Sequence, residues 1–293
     1  MSNRIEVIPH DHLQAESRSW WETNPMSYDW HKTILAPEGT REFYDEIDRR
    51  FFTSSSFYRG KRPFERWIPF DRLRGKRVLE IGCGLGAHAQ LLSEAACDLT
   101  CIDLTEKAVE NTRRRLELRG LRAEIRRMDA EQMDFPDSEF DFVWSWGVIH
   151  HSADTERILR HVCRVLKPGG EFRLMVYHRR SLSGLYCLAR GFLAGKFLQG
   201  MSAQEVLSFY TDGYLARFYT RRELRELLLR CGFSRVETRV LGQKSELLPL
   251  PGRGASGRLK QTLLRGLPDA LAERALSVAG YFLFAIARRP LAS

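Results

Sequence analysis

The stretch VLEIGCGLGAHAQLL, residues 78–92, places several glycines where a buried strand would turn into a helix. Glycine adopts positive φ angles and lets the backbone approach a ligand closely, so such a turn can hold a polar ligand group. Gly82, Gly84 and Ala87 also fit the G-x-G-x-x-A form of the dinucleotide fingerprint. A first interpretation is therefore a site for a nicotinamide or flavin cofactor.

Acidic residues around this turn favour a different ligand that contains adenosine. Asp103 lies 21 residues after Gly82, at the end of the next apolar run, where a carboxylate can accept hydrogen bonds from both ribose hydroxyls. Glu80 precedes the first glycine by two residues, where dinucleotide sites usually keep the strand apolar, and an acid there suits a cationic ligand. Asp129 follows the third apolar run and is placed to accept a hydrogen bond from an adenine amino group.

Regular elements must position these residues, and they alternate along the chain from residue 76. The apolar runs RVLEIGC, DLTCIDL, AEIRRMDA, DFVWSWG and EFRLMVYH are separated by the helical stretches AHAQLLSEAA, EKAVENTRRRLELRG and ERILRHVCRVLKPGG. A further helix, TRRELRELLLRCG, and two apolar runs, FSRVETRVLG and GYFLFAIARRP, follow. This alternation predicts an α/β fold with a doubly wound, mostly parallel, seven-stranded Rossmann-like sheet and an antiparallel last strand.

The rest of the chain is predicted to surround this sheet. Residues 1–75 are rich in aromatic side chains and lack strand alternation, so we interpret them as a helical cap or lid over the mouth of the sheet. Residues 76–293 form the core, with inserts at about 180–219 and 243–279.

Taken in order, the motifs resemble the class I S-adenosylmethionine-dependent methyltransferases, specifically their small-molecule branch. The resemblance rests on E-x-G-x-G-x-G, the strand-end Asp, MDAE, FDFVWSWGVIHH and RVLKPGGEF, and it covers residues 76–178 closely. It implies S-adenosyl-L-methionine as the cofactor and S-adenosyl-L-homocysteine as its product. The cofactor-binding residues that it implies are Glu80, Gly82, Gly84, Gly86, Asp103, Leu104, Asp129, Ala130, Glu131, Trp146 and Gly147.

Within that set, the family pattern implies a place for most residues. Glu80, Gly82 and Gly84 would contact the methionine end of the cofactor, and Asp103 would hold the ribose. Asp129 and Ala130 would flank the adenine. Trp146 and Gly147 would lie near the sulfonium.

Methyl transfer to a hydroxyl or to an acidic carbon needs a base. His150, just beyond the fourth apolar run, is predicted to be that base, with an alternative role in packing against the cofactor or ordering the loop. His151 is predicted to point away and to cap the helix that starts near ADTERIL. We expect no metal, because the six cysteines and the histidines show no zinc-site spacing.

The acceptor pocket must come from parts of the chain outside the sheet. Aromatic residues would enclose a small acceptor, and arginines could bind a carboxylate or phosphate, so we predict O- or C-methylation of an aromatic or anionic metabolite. The predicted acceptor-binding residues are Tyr28, Tyr177, Arg179, Arg180, Tyr210, Arg217 and Tyr219, with Trp30, Arg49, Arg50 and Asp212 as further candidates.

The charge of the chain is uneven. Of 46 Lys and Arg and 37 Asp and Glu, residues 171–293 carry 20 basic and 9 acidic side chains. This excess could attract an anionic substrate, an acidic lipid surface or nucleic acid, or it could be a solvated surface. Nucleic acid is disfavoured as a substrate, since neither a Pro-Cys nucleophile nor an N-P-P-Y tetrapeptide occurs.

An alternative function is cofactor binding without transfer, with the chain recruiting a partner or an acidic membrane surface. LKQTLLRGLPDALAERALSVAGYFLF could form an interfacial helix, although Gly266 and Pro268 favour a lid helix followed by the last core strand. The sequence contains no run of 18 apolar residues and no signal-peptide pattern, so we expect a cytoplasmic location without a transmembrane segment.

Overall fold

The fold comes from a computed structural model that describes residues 9–28, 33–248 and 254–291. The strands in this part of the chain are β1 Arg77–Ile81, β2 Asp98–Asp103, β3 Glu124–Arg127, β4 Phe140–Trp146, β5 Leu166–His178, β6 Phe218–Tyr219, β7 Ser234–Leu241 and β8 Phe282–Arg288. The helices are α1 His10–Thr23, α2 Arg41–Thr53, α3 Ala87–Glu94, α4 Glu106–Leu118, α5 Thr155–Val165, α6 Leu182–Leu193, α7 Ala203–Phe209, α8 Arg221–Arg230, α9 Gly254–Arg265 and α10 Asp269–Ala279.

All of these strands belong to one sheet. Seven follow the order β3-β2-β1-β4-β5-β8-β7, and the short β6 pairs with the end of β5. β8 is antiparallel to both of its neighbours, whereas β1 to β5 run parallel. The predicted fold class is therefore confirmed. The strand order reverses between β1 and β4, and at such a switch point a ligand crevice opens at the carboxyl ends of the strands.

Both faces of the sheet are buried, as a parallel sheet between helices requires. Neighbouring residues of a strand face opposite sides, so Val78 and Leu79 of β1 belong to different apolar clusters, and both are fully buried. The face that holds Val78 is covered by aromatic residues from the N-terminal segment, among them Phe64 and Trp67. This segment therefore covers one face of the sheet as well as contributing to the crevice.

The two predicted inserts contain helices. Residues 180–219 include α6 and α7, and residues 243–279 include a short 3₁₀ helix, Lys244–Leu247, followed by α9 and α10. The domain boundaries at residues 75 and 76 stay a prediction. No helix in the described ranges is long and apolar enough to cross a membrane.

Candidate active site

A cavity of about 540 Å³ opens at the carboxyl ends of the strands. Its wall follows the strand order, from the residues after β3 through the ends of β2, β1 and β4 to the end of β5 and the start of β8. Helices α1 and α2 and the segment before β6 also contribute to the lining. The cavity therefore lies at the edge where the sequence pattern placed the candidate site residues.

The glycine turn after β1 forms one wall of the cavity. Gly82 has φ +79°, and a Cβ atom there would come within 2.2 Å of the Val148 side chain, so a larger residue would collide. Gly84 has φ +53° and has no atom within 4 Å of the position that a Cβ would take. The turn thus leaves open space beside its backbone, which fits the close approach of a ligand.

Asp103, at the end of β2, is fixed beside this turn. Its carboxylate accepts hydrogen bonds from the backbone N–H of Gly84 at 3.0 Å and from both the N–H and the hydroxyl of Thr105 at 3.0 and 2.9 Å. Burial raises the pKa of Asp103 above its ordinary value. The Asp103 side chain also lines the cavity, so its position is set by the fold before any ligand binds.

Asp129 follows β3 and lines the same end of the cavity. Its carboxylate accepts two hydrogen bonds from the amide of Gln14 in α1, at 3.0 and 3.1 Å, and one from the backbone N–H of Glu131 at 2.9 Å. Helix α1 therefore packs against the polar end of the cavity through specific hydrogen bonds.

Eight of the eleven residues predicted to bind the cofactor line the cavity, namely Gly82, Gly84, Asp103, Leu104, Asp129, Ala130, Trp146 and Gly147. Glu80, Gly86 and Glu131 are not part of the lining. Gly86 is the N-cap residue of α3, and a Cβ there would lie 3.0 Å from the Arg115 side chain. Its role is therefore close packing of α3 against α4.

Glu80 lies behind the glycine turn. Its side chain is 1% exposed, with the thiol of Cys101 at 3.5 Å and Nδ1 of His88 at 3.9 Å. One carboxylate oxygen has no hydrogen-bond partner among the described residues. Burial raises the pKa of Glu80 to about 8 and lowers that of His88 to about 3, so both groups are largely neutral at pH 7.

Glu131 holds the loop after β4 in place. It is fully buried, and its carboxylate accepts hydrogen bonds from the Ser152 hydroxyl, from the backbone N–H of Asp154 at 2.8 Å and from His10 at 2.6 Å. Each of these hydrogen-bond donors is a group of the protein itself. The carboxylate thus links α1 to the loop before α5.

The two adjacent histidines are oriented opposite to expectation. His151 lines the cavity, and its Nδ1–H donates to the carbonyl of Leu215 at 2.7 Å, whereas its Nε2 has no partner in the described part of the chain. His150 is fully buried outside the lining, and its ring lies 4.0 Å from that of Tyr177. The predicted cap of α5 is also wrong, because Asp154 caps that helix.

Burial lowers the pKa of both histidines. For His150 the neighbouring His151 and Arg217 lower it further, well below 6.5. For His151 the nearby Asp212 carboxylate opposes the effect of burial, although the net direction is still downward. Both rings are therefore neutral at pH 7, and the hydrogen bond to Leu215 leaves the lone pair of His151 on Nε2.

The other end of the cavity is aromatic and carries one carboxylate. The Tyr177 hydroxyl at the end of β5 donates to Asp212 at 3.0 Å, and Thr211 lies 3.3 Å from the hydroxyl of Tyr281. Tyr28 stacks on Phe51 with ring centroids 4.5 Å apart. The residues of this end that line the cavity are Trp21, Tyr28, Tyr177, Tyr210, Thr211, Asp212 and Tyr281.

The arginines expected to bind an anionic acceptor lie outside the lining. Arg217 donates to the backbone carbonyls of Ser152 and Ala153. Arg179 donates to the carbonyl of Phe218 and pairs with Glu223 at 2.7 Å. Both guanidinium groups thus hold backbone segments together.

The remaining acceptor candidates differ in where they lie. Tyr28, Tyr177 and Tyr210 line the cavity, as does Asp212, whereas Tyr219 does not and Arg180 is exposed. Arg49 and Arg50 both pair with Glu46 at 2.7 Å. Trp30 lies outside the described residues.

The charged groups that line the cavity are carboxylates. Asp103 and Asp129 lie at the glycine-turn end and Asp212 at the aromatic end, and no lysine or arginine belongs to the lining that the structure describes. Across the described ranges, no group of three His, Cys, Asp or Glu side chains is arranged to hold a metal ion. Because its charged lining groups are carboxylates, the cavity is suited to neutral and positively charged ligands.

Several lining residues had no signal in the sequence. They are Gln14, Ser17 and Trp21 of α1, together with Tyr58, Gln243 and Tyr281. Residues 10–23 show little amphipathic pattern. Helix α1 packs on the core partly through polar side chains, and the Ser17 hydroxyl, for example, donates a hydrogen bond to the carbonyl of His151 at 3.1 Å. Tyr281 immediately precedes β8. Because β8 is antiparallel to β5, it starts at the edge of the sheet where β5 ends.

Comparison with known proteins agrees with this arrangement. A family described as "Methyltransferase domain" matches residues 79–174, which run from β1 into β5. A solved S-adenosylmethionine-dependent methyltransferase from Methanosarcina mazei is 20% identical, with a TM-score of 0.52 over 78% of this chain and 97% of that one. This likeness shows the fold.

Two relatives share higher identity over shorter segments. Phosphatidylethanolamine N-methyltransferase of Cereibacter sphaeroides is 35% identical over 120 residues, which are 40% of this chain and 59% of that protein. Sarcosine/dimethylglycine N-methyltransferase of Halorhodospira halochloris is 36% identical over 117 residues, 38% of this chain and 42% of that protein. The matches thus span less than two thirds of these relatives.

The aligned segments contain the strands and turns that form the glycine-turn end of the cavity. The glycine turn after β1, the carboxylate that ends β2 and the residues that follow β3 and β4 all lie within the matched range 79–174. Residues 79–174 are thus similar to a methyltransferase domain, and the fold is that of a solved S-adenosylmethionine-dependent methyltransferase.

Proposed function

We propose that this chain transfers a methyl group from S-adenosyl-L-methionine to an amine nitrogen of a small, neutral or cationic acceptor. The observation that carries the acceptor class is the charge of the cavity, whose lining holds three carboxylates and no described lysine or arginine. A carboxylate or phosphate on the acceptor would be repelled and would find no cationic partner there. This replaces the expectation of an aromatic or anionic metabolite methylated on oxygen or carbon.

The glycine-turn end suits the cofactor. Gly82 and Gly84 would lie against its methionine part, Asp103 would accept hydrogen bonds from the ribose hydroxyls, and Asp129 would lie near the adenine. Trp146 and Gly147, at the end of β4, would flank the sulfonium. When bound, the cofactor supplies an electrophilic methyl group on a positively charged sulfur, which the surrounding carboxylates favour electrostatically.

The aromatic end suits an amine. Tyrosine and tryptophan rings attract a cation through their π faces, and a carboxylate adds a charge-assisted hydrogen bond. Tyr177 and Asp212, joined at 3.0 Å, supply one of each. Two relatives named above are N-methyltransferases by name, which supports nitrogen as the methylated atom.

An amine attacks only after it has lost a proton. Desolvation in the cavity favours the neutral amine whereas Asp212 favours its ammonium form, so a base must take the proton. Nε2 of His151 would be that base, because the ring is neutral and its Nδ1–H is already bonded to the carbonyl of Leu215. The chain then aligns the nitrogen with the methyl group and excludes water.

An acceptor panel tests this function. Primary and secondary amines, alcohols and carboxylates of matched size are incubated with the enzyme and cofactor, and release of S-adenosyl-L-homocysteine is measured. We expect turnover with amines, and Asp212→Asn should raise the KM for the amine at least about tenfold while leaving cofactor affinity nearly unchanged. Asp154→Asn, which alters only the cap of α5, is the matched control.

Preference for carboxylate acceptors would contradict the amine assignment. The alternative of cofactor binding without transfer predicts a different outcome, namely tight cofactor binding with no product from any acceptor in the panel.

A further inference from the structure

Helix α6, in the first insert, buries glycines and exposes large apolar side chains. The side packed against α7 carries Gly184 and Gly191, and a Cβ on Gly191 would come within 2.3 Å of the Val206 side chain. The opposite side presents Leu182, Leu185, Tyr186 and Leu193 to solvent, at spacings of three, four and eleven residues. Because a helix packed on a core normally buries its large apolar residues, this face requires another explanation.

The exposed apolar surface continues beyond the helix. Phe192 and Leu193 are 73% and 85% exposed, and Leu198 in the following 3₁₀ turn is 94% exposed. Phe209, at the end of α7, is 57% exposed. We name this surface the α6 patch; it consists of Leu182, Leu185, Tyr186, Phe192, Leu193, Phe197, Leu198 and Phe209.

Basic residues border the α6 patch. Residues 179–210 contain four Arg or Lys and one acid, Glu205, whose carboxylate is engaged in the cap of α7. The ammonium of Lys196 lies 4.1 Å from the ring centre of Phe209, and the guanidinium of Arg190 lies 4.6 Å from that of Tyr210. The cations thus lie beside the apolar side chains, where lipid headgroups would meet a surface inserted into a bilayer.

We propose that the α6 patch docks on a membrane surface containing anionic lipids, with Phe192, Leu193 and Leu198 inserted among the upper acyl chains. Exposed apolar side chains gain free energy from this burial, and each basic residue near an anionic surface adds attraction. The proposal does not depend on the acceptor class, because none of these three residues lines the cavity.

The α6 patch also borders the cavity. Arg190 of α6 lies over the ring of Tyr210, which is part of the lining and follows Phe209 directly. Docking through the α6 patch would therefore hold the acceptor end of the cavity close to the bilayer.

Vesicle sedimentation of the full chain tests this proposal. The vesicles consist of phosphatidylcholine alone or with about 30% phosphatidylglycerol, and salt is varied. We expect binding to the anionic vesicles that weakens as salt screens the charges, and at least about tenfold weaker binding to phosphatidylcholine alone. The variant Phe192→Ser/Leu193→Ser/Leu198→Ser should lose at least about tenfold in vesicle affinity.

A matched control distinguishes the α6 patch from the second insert. Leu259→Ser/Leu271→Ser/Val278→Ser alters three residues of α9 and α10 that are 55%, 56% and 75% exposed, and it should bind vesicles as the unaltered chain does. Circular dichroism and cofactor binding verify that both variants are folded. These checks are informative because all six side chains are largely in solvent.

Three results would overturn the proposal: no binding of the unaltered chain to anionic vesicles, unchanged binding by the α6 variant, or loss of binding in the control variant instead. Analytical ultracentrifugation adds a fourth. If the unaltered chain forms a dimer that the α6 variant abolishes and neither binds vesicles, the α6 patch is covered by a second copy of the chain.

Discussion

Substitution of Asp103 tests whether the glycine-turn end of the cavity binds the cofactor. If its carboxylate accepts hydrogen bonds from both ribose hydroxyls, Asp103→Ala should weaken S-adenosyl-L-methionine binding by about 2–3 kcal/mol, because charge-assisted bonds are lost. Calorimetry measures the change. Asp98→Ala, an exposed aspartate at the other end of β2, should bind the cofactor normally.

Asp103→Ala also removes the hydrogen-bond acceptor of the Gly84 N–H, so the variant Asp103→Asn is measured as well. An amide of the same shape can retain the contacts to the turn while losing charge. Unaltered cofactor affinity in both variants would show that the ribose lies elsewhere.

The two histidines after β4 provide a paired test of the proton acceptor. His151→Gln should slow methyl transfer by roughly 10²–10⁴-fold while leaving cofactor affinity within a factor of a few, because general-base help is lost. His150→Gln should have a small effect on the chemical step, because its ring does not line the cavity. Rapid-quench measurement of the transfer step separates the two, and a reversed order would return the base role to His150.

The pH profile of His151 follows from the direction of its pKa shift. Burial lowers the pKa of His151 below 6.5, so the ring is neutral at pH 7 and becomes protonated only as the pH falls through that lowered value. The titration of His151 should therefore leave turnover at saturating substrate nearly independent of pH around 7 and cause it to decline at a pH below 6.5. His151→Gln should lack this acidic limb.

The contact between α2 and α4 fixes the N-terminal segment to the core. Arg115 of α4 is fully buried, and its guanidinium donates to Asp48 of α2 at 2.5 Å and to Gln90 at 3.0 Å. Asp48→Ala should lower the free energy of unfolding by about 3 kcal/mol, because it leaves a buried positive charge without its carboxylate. Urea denaturation measures this.

The same pair of helices contains its own control. Asp45 of α2 contacts Arg119 of α4 at 2.5 Å, but its side chain is 60% exposed. Since exposed ion pairs contribute little, Asp45→Ala should cost about 0–1 kcal/mol. Equal losses of unfolding free energy in Asp48→Ala and Asp45→Ala would mean that burial does not determine how much an ion pair between α2 and α4 contributes.

The ends of the elements show what the sequence pattern could not specify. The pattern extended the helix before β5 to Gly169 and Gly170, yet α5 ends at Val165, and Leu166 already pairs with Phe140. Pro168 disfavours a helical conformation in the residue before it, which agrees with the earlier end. Tertiary strand pairing outweighed the local helical pattern.

The glycine-turn end of the cavity was far more predictable from the sequence than the aromatic end. Strand-end residues such as Asp103 and Asp129 are fixed by the alternation of strands and helices, which any parallel sheet brings to one edge. The turn after β4 is a short 3₁₀ helix, Ile149–His151, where one residue more or less rotates a side chain by about 120°. The sequence could not therefore decide which histidine faces the cavity.

The arginines predicted to bind the acceptor lie outside the cavity lining for a different reason. Composition shows that Arg179 and Arg217 are available, but not that backbone carbonyls in neighbouring loops accept their hydrogen bonds. The positive charge of residues 171–293 thus resides in structural contacts and on the surface, while the cavity itself is lined by carboxylates.

The order of the strands around the cavity has a consequence for how this chain could change in evolution. The glycine-turn end of the cavity comes mainly from the turns after β1 to β4, whereas the aromatic end comes from the end of β5, the segment that carries Asp212, and the start of β8. Under the proposed function, mutations in the segment 210–212 would therefore alter substrate choice without affecting the residues proposed to contact the ribose and the adenine. Because the methyl donor stays in place throughout, an ancestral chain could drift between acceptors by small steps while remaining a competent catalyst.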